Sequence, residues 1–524
     1  MRTDHTIEEI DSEEEIDSEI DSEDIEQPAA GPVAATGIVG LDEILNGGLP
    51  CNHLYLIDGS PGTGKTTLAL QFLMEGTRNG ENGLYVTLSE SRVELEGVAR
   101  SHGWSLDGIE IFELSSQTAD ANADYTIFHP AEVELQATMD EVLKEVDRLE
   151  PVRVVFDSLS EMRLLARDPL RFRRQILSIK QFFAGRTGTV LMLDDKTSPE
   201  GDLQLHSLAH GVIVLEHVAL EYGAERRRLQ ITKIRGAHFR GGYHDFRITT
   251  GGLAVYPRIL HDDTHVDASD RTLSSGADKI DQLLGGGLTL GTSLLITGAA
   301  GTGKSVLCTQ YAHTAVQRGE NVLFYLFDER MSTFALRTRA LDLNVDDAIE
   351  SGQLRLQQIE PTSLSPGEFA SQIVTAVEGG KISLVIIDSI NGYMQSMPEE
   401  RLLPIQVHEL LSFLSNNGVT CIMTLVQHGI FGNPVDEAAE VSYLADAVVL
   451  MRYFEVNGSV RQAISVVKRR SGNHERTIRE CRVGPGGLQV GDPLRNFQGV
   501  LTGVPNYTGN NSPLMEEEGG APRV

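Results

Sequence analysis

Short apolar runs alternate along the chain with longer stretches in which apolar positions recur every three or four residues. Residues 54–57, 294–296 and 385–387 are apolar runs of the length that is typical of buried strands. Residues 131–149 and 366–377 carry the periodicity of helices that bury one face. This alternation predicts an α/β fold with mainly parallel sheets.

The same ordered pattern occurs twice in the chain. The segment L-D-E-I-L-N-G-G-L at residues 41–49 returns as I-D-Q-L-L-G-G-G-L at residues 280–288. A glycine-rich loop follows each copy, G-S-P-G-T-G-K-T at residues 59–66 and G-A-A-G-T-G-K-S at residues 298–305. The two copies stay 239 positions apart, so the repeat predicts two domains of one kind in tandem.

The repeat also sets the expected domain organisation of the 524 residues. We expect a first domain at residues 36–262 and a second at residues 263–504. Asp, Ser, Glu and Ile recur in residues 1–35, which predicts an acidic disordered tail. Residues 505–524 are rich in Gly, Asn, Pro and Glu and predict a flexible C-terminal tail.

Composition narrows the class of protein. The chain is 40% apolar and 23% charged, as in ordinary soluble domains, and no apolar run is long enough to cross a membrane. Its net charge of −31 repels a phosphate backbone, so we expect no nucleic acid partner. The four cysteines lie far apart, which argues against a zinc ribbon or a disulfide framework. These features favour a soluble cytoplasmic protein.

Both glycine-rich loops match the P-loop pattern G-x-x-x-x-G-K-[ST]. Its glycines let backbone N–H groups turn toward phosphates, its lysine reaches the β- and γ-phosphates, and its hydroxyl residue binds Mg²⁺. In each half a buried run later ends in aspartate, which can hold the water shell of the ion. The sequence thus predicts two sites for ATP and Mg²⁺, formed by Lys65, Thr66 and Asp157 and by Lys304, Ser305 and Asp388.

Hydrolysis further needs a group that deprotonates or orients the attacking water. A carboxylate just past the strand after the P-loop helix can do this. The candidates are Glu90 in V-T-L-S-E-S and the pair Asp328–Glu329 in Y-L-F-D-E-R. The structural alternative for either place is a solvated acidic turn.

A pair of cations spaced i, i+2 closes the repeat, and on a strand both members would point to one face. Such pairs can clamp a γ-phosphate held by a neighbouring subunit. The alternative is a solvated strand face. The pairs are Lys233 with Arg235 and Lys468 with Arg470, and the histidines His238 and His474 follow them.

With these motifs, residues 36–505 resemble the KaiC family of circadian clock ATPases. Further matches are A-R-S-H-G-W at 99–104, E-R-R-R at 225–228, R-Y-F-E at 452–455 and L-R-N-F at 494–497. The resemblance implies two RecA-like P-loop domains in a homohexameric, two-tiered ring with ATP between neighbouring subunits. It also implies ATP hydrolysis in the first tier, autophosphorylation in the second, and a KaiB-like or signalling-protein partner.

The resemblance implies site residues by position. Those that contact the first nucleotide would be Gly62, Thr63, Gly64, Lys65, Thr66, Thr67 and Ser101, with Lys233, Arg235 and His238 from the next subunit. Those for the second would be Gly301, Thr302, Gly303, Lys304, Ser305 and Val306, with Lys468, Arg470 and His474 from the next subunit.

Three positions depart from the family pattern. KaiC has adjacent glutamates after the strand in both domains, whereas this chain has Ser89 before Glu90 in the first and Asp328 before Glu329 in the second. The adjacent Ser-Thr phospho-acceptors of KaiC correspond here to Ser442 followed by a tyrosine. We therefore expect Ser442 as the acceptor, the alternative being a serine that only lines a helix.

Two other functions stay open. A DNA-handling RecA relative would also place P-loop ATPases in a ring, although the acidic balance of the chain counts against it. A signalling scaffold could use its ATP sites to set its shape with little turnover.

Overall fold

A computed structural model describes residues 31–114, 130–195, 203–219, 225–260, 271–360, 363–395, 403–427, 442–456, 458–500 and 506–507. The predicted tails lie almost wholly outside these residues. Val33 and Ala34, at the end of the expected acidic tail, pair with Pro50 and Leu49 as a two-stranded ribbon. Residues 506–507 of the expected C-terminal tail likewise form a short strand.

The first domain places a P-loop helix behind a sheet that is mainly parallel. Its elements are β1 (Val33–Ala34), α1 (Val39–Ile44), β2 (Leu49–Pro50), β3 (Leu54–Gly59), α2 (Lys65–Arg78), β4 (Gly83–Thr87), α3 (Arg92–Ser101), β5 (Ile109–Glu113), α4 (Pro130–Leu149), β6 (Arg153–Asp157), α5 (Leu159–Ala166), α6 (Pro169–Phe183), β7 (Thr189–Asp195), α7 (Leu203–Leu208), β8 (Gly211–Val218), β9 (Arg226–Ile234), β10 (Tyr243–Thr249) and β11 (Gly252–Tyr256).

The second domain repeats this plan. Its elements are β12 (Thr272–Leu273), α8 (Asp278–Leu283), β13 (Leu288–Thr289), β14 (Ser293–Gly298), α9 (Lys304–Gln317), β15 (Asn321–Leu326), α10 (Met331–Ala340), α11 (Asp346–Glu350), β16 (Leu354–Gln358), α12 (Pro366–Gly380), β17 (Ile382–Asp388), α13 (Ile390–Gln395), α14 (Leu403–Asn416), β18 (Thr420–Val426), β19 (Ala447–Val456), β20 (Ser459–Arg469), β21 (Arg479–Gly484), β22 (Gly487–Pro493), β23 (Phe497–Gln498) and β24 (Asn506–Tyr507).

The two large sheets have the same order of equivalent strands. Within the described residues the first runs β11-β10-β9-β8-β3-β7-β6-β4-β5 and the second β22-β21-β20-β19-β14-β18-β17-β15-β16. In each, a run of parallel strands joined by helical crossovers continues into antiparallel hairpins at one edge. This confirms the predicted α/β fold with mainly parallel sheets, in which the P-loop strands β3 and β14 lie near the middle.

The strand-to-helix turns of both P-loops depend on glycine. Gly64 and Gly303 precede helices α2 and α9 with φ values of 101° and 102°, a left-handed conformation that disfavours other residues. A Cβ on Gly64 would also lie 2.8 Å from Cδ1 of Ile248 on β10. The antiparallel edge of the first sheet therefore packs closely over the P-loop.

Strand β10 of the first domain also contacts the second domain. The Asp245 carboxylate accepts a hydrogen bond of 2.8 Å from the backbone N–H of Gly367, in the first turn of α12. Arg247, two residues along β10, forms a 2.9 Å ion pair with Glu368 of the same helix. Burial raises the pKa of Asp245. The first domain thus supplies a capping group for a helix of the second.

None of the helices in the described residues is long and apolar enough to span a membrane.

Two candidate nucleotide sites

Each P-loop turns its lysine back onto the carbonyls of the loop. Lys65 Nζ donates to the carbonyl oxygens of Gly59 and Ser60 at 2.7 and 3.1 Å. Lys304 Nζ donates to the equivalent carbonyls of residues 298 and 299, both at 2.8 Å. Burial lowers the pKa of Lys304 to about 8. The two predicted loops therefore have the same geometry around a buried lysine at the start of a helix.

The remaining loop residues follow the predicted pattern of a phosphate cradle. Gly62 and Gly301 adopt positive φ values of 82° and 80°, which turns the backbone of the loop. Buried threonines close each turn by donating to a carbonyl three residues earlier at 2.9 Å. These are Thr63 and Thr302. Thr67 and Val306 are buried in the first turns of α2 and α9.

Each P-loop hydroxyl residue lies beside the predicted aspartate. Thr66 Oγ1 is 3.4 Å from Oδ2 of Asp157, and the Ser305 hydroxyl donates to Asp388. Burial raises the pKa of both carboxyls, while hydrogen bonds from Tyr85 to Asp157 and from a threonine to Asp388 oppose the shift. A hydroxyl and a carboxylate side by side are oxygen donors of the kind that Mg²⁺ takes together with phosphates and water. The residues present therefore fit the ion.

Glu90 lies at the edge of the first site. It is half-buried just past β4, and no described residue hydrogen-bonds its Oε2. Burial raises its pKa, and repulsion from Asp157, Glu94 and Asp195 adds to the shift. A carboxyl with a raised pKa and an available oxygen suits a general base. Ser89 before it is exposed and offers no carboxylate.

The equivalent carboxylates of the second site differ from one another. Asp328 accepts a 2.5 Å hydrogen bond from Ser389, the residue after the β17 aspartate. Glu329 instead forms a two-pronged ion pair with Arg337 of α10, with N–O distances of 2.7 and 3.1 Å. Asp328 is therefore oriented toward the end of β17, whereas Arg337 holds Glu329.

Sequence reasoning missed Asp195. This carboxylate ends β7, directly beside the last residue of the P-loop strand β3, and lies 2.8 Å from Nζ of Lys65. The signal was an aspartate that ends an apolar run, as at residue 157. Only the strand order could show that this run neighbours the P-loop.

The cation pair of the first domain lies away from its own P-loop. Lys233 is paired with Val212 of β8, and Val212 is paired with Leu56, three residues before Gly59. This places its backbone about 10 Å from the P-loop along the strands and about 10 Å across them. Its ammonium donates to carbonyls 206 and 209 at the end of α7, and Arg235 donates to carbonyl 207.

The second cation pair has the same position relative to its own P-loop. Lys468 is paired with Val448, which is paired with Leu295, again three residues before the first glycine of the loop. Lys468 Nζ donates to the carbonyl of Ser442 at 2.9 Å, and Arg470 donates to the next carbonyl at 2.6 Å. Ser442 therefore lies directly beside the second cation pair.

Three other residues that we predict to contact the nucleotide lie outside the P-loops. Ser101 is the exposed last residue of α3 and donates to its own helix at 2.7 Å. His238 is exposed in the connection after β9, and His474 is half-buried in the connection after β20.

A doubled α/β fold with a P-loop, a strand-end aspartate and a nearby carboxylate in each half defines a tandem RecA-like ATPase. The family model described as "ATPase: KaiC" matches the chain at residues 34–259 and again at 273–495. The chain therefore belongs to the KaiC ATPase family.

Curated relatives match the chain over most of its length. The circadian clock protein KaiC3 of Synechocystis sp. is 26% identical over 484 residues, covering 90% of this chain and 94% of the relative. The circadian clock oscillator protein KaiC of Thermostichus vulcanus is 27% identical over 476 residues, covering 90% and 91%. That of Parathermosynechococcus lividus is 25% identical over 485 residues, covering 90% and 88%. The similarity thus extends over both domains.

Proposed function

We propose that this KaiC-family ATPase works as a homohexamer in which each ATP lies between neighbouring subunits. The observation that carries the proposal is the position of Lys233 and Lys468, each about 10 Å along and across the sheet from its own P-loop. We infer from this separation that neither side chain reaches the phosphates of its own subunit. A cation repeated at one position in both domains is accounted for by a phosphate on the adjacent subunit.

The test is mass measurement of the native particle with and without Mg-ATP, together with steady-state ATPase activity. A particle of six chains that forms with ATP is expected, because subunit contact and ATP binding are linked. A Lys65→Ala/Lys304→Ala double variant provides the blank for turnover. A chain that stays monomeric in saturating Mg-ATP contradicts the proposal.

In the first site, we assign a separate role in ATP hydrolysis to each of several residues. Lys65 and backbone N–H groups of the loop hold the phosphates, and Glu90 takes the proton of the attacking water. Thr66 and Asp157 would hold Mg²⁺, which neutralises charge on the phosphates when it is bound.

In the second site we propose transfer to serine. Ser442 Oγ of one subunit attacks the γ-phosphorus of the neighbour's ATP, the bond to the bridging oxygen breaks, and ADP leaves. Asp328 of the neighbour takes the hydroxyl proton, while Glu329 keeps its ion pair with Arg337. The hydrogen bond from Lys468 Nζ to the backbone carbonyl of Ser442 supports this proposal, because it places Ser442 beside the cation pair that we assign to the neighbour's phosphate.

The wider setting is likewise proposed. Domains at 36–262 and 263–504 accord with the two matched stretches. The relatives are named as circadian clock proteins, which supports a clock-like or signalling role. We further propose a KaiB-like or signalling-protein partner and a cytoplasmic location.

A further inference from the structure

The ammonium of Lys65 has all three of its hydrogen-bond donors engaged. Two go to loop carbonyls, and the third goes to Asp195 at 2.8 Å. That distance is typical of a charge-assisted bond between an ammonium and a phosphate or carboxylate oxygen. Asp195 thus takes the donor that a β- or γ-phosphate would use. Its other oxygen accepts a 2.9 Å hydrogen bond from Ser160, which fixes the carboxylate in place.

The second site has the same loop without this carboxylate. Strand register pairs Asp195 with Gly59, and the equivalent residue paired with Gly298 is Val426. Asn391, three residues after the strand-end aspartate as Ser160 is, hydrogen-bonds the backbone of Val426. Among the described residues Lys304 bonds only its two loop carbonyls. One donor of Lys304 is therefore left for phosphate.

We propose that Asp195 is a built-in competitor of the nucleotide for Lys65, which lowers the affinity of the first site for ATP more than for ADP. To bind a triphosphate, Lys65 must exchange its carboxylate partner for phosphate. Asp195 then carries a negative charge beside the γ-phosphate, and this repulsion is weaker for ADP because ADP lacks that group. The inference rests on the proposed assignment of Lys65 to the first nucleotide site.

Removing the charge gives the first test. In a Lys304→Ala background, Asp195→Asn keeps an acceptor for Ser160 and Asp195→Val copies the second domain. Calorimetric titration with Mg²⁺ and the non-hydrolysable analogue AMP-PNP should show roughly tenfold tighter binding in both variants, the range of a lost charge-assisted bond. Titration with ADP should show a smaller gain. All variants are compared at one protein concentration with native mass recorded.

The reciprocal change gives the second test. Val426→Asp in a Lys65→Ala background should weaken AMP-PNP binding at the second site by a similar factor. Val426 is half-buried, so a carboxylate there can stay hydrated. An Asp195→Asn variant that binds AMP-PNP within twofold of the parent, or more weakly, overturns the inference. If Lys65→Ala leaves nucleotide binding at the first site intact, the site assignment itself fails, and this inference fails with it.

Discussion

Replacing Glu90 with glutamine tests the chemistry of the first site most directly. Glutamine keeps the volume of the side chain and an oxygen acceptor but cannot take a proton. Because Glu90 is half-buried with one oxygen lacking any partner among the described residues, the substitution breaks no hydrogen bond of that oxygen. The fold and ATP binding should therefore persist.

The expected loss of turnover in Glu90→Gln follows from the proposed role of Glu90 as general base. Positioned general-base catalysis contributes typically 10²–10⁴-fold, equivalent to about 2.7–5.5 kcal/mol of transition-state stabilisation. Burial and three neighbouring carboxylates raise the pKa of Glu90, so the active, deprotonated form is lost at a higher pH than for an ordinary glutamate. Turnover of the parent protein should fall as the pH drops through that raised pKa, and the glutamine variant should lose this acid limb.

The assay is single-site turnover of Mg-ATP in a Lys304→Ala background, with nucleotide affinity measured in parallel. Glu96→Gln is a matched control, since Glu96 is an exposed carboxylate on the same helix α3 and is not among the groups that shift the pKa of Glu90. Its turnover should stay within about twofold of the parent. Unchanged turnover in Glu90→Gln would refute the assignment of Glu90 as base.

Three further outcomes are expected. Lys233→Ala with Arg235→Ala should lower first-site turnover while circular dichroism shows an intact fold, because the variant lacks the cations that we propose act on a neighbour's phosphate. Ser442→Ala should abolish label from γ-labelled ATP, whereas Tyr443→Phe should keep it, as mapped by mass spectrometry. Asp245→Ala should lower the free energy of unfolding by about 1–2 kcal/mol through loss of a helix cap. Asp245→Asn should keep most of that stability, because its side-chain oxygen can still cap the helix.

Each of these has a contradicting result. Full turnover in the Lys233→Ala/Arg235→Ala variant would mean that the pair is only a solvated part of the strand face. Label that persists in the serine variant would move the acceptor elsewhere. If Asp245→Ala has the same free energy of unfolding as the parent, water replaces the helix cap with no loss of stability.

Local sequence predicted the parts of each site that lie on one continuous motif. Glycine geometry predicted the loop residues around Lys65 and Lys304, and strand length predicted the aspartates that end β6 and β17. The same motifs in both halves of the chain strengthened these predictions. The α/β fold was predicted for the same reason.

Contacts between distant segments could not be predicted in this way. Asp195 meets Lys65 because β7 and β3 are sheet neighbours although 130 positions separate the two residues in sequence. The ion pair that distinguishes Glu329 from Asp328 depends on which face of α10 carries Arg337. Sheet order and helix orientation arise from packing of the whole domain, which a local pattern does not contain.

The equal register of the two cation pairs constrains the symmetry of an assembly. Lys233 and Lys468 are each aligned with a position three residues before the glycine that opens the P-loop of their own domain. A head-to-tail contact that closes into a ring requires one fixed rotation per subunit. Because a single chain joins both domains, both layers of the proposed ring must share that rotation. A one-residue insertion in β9 before Lys233 would turn this lysine to the opposite sheet face and leave the two layers of the proposed ring with incompatible contacts.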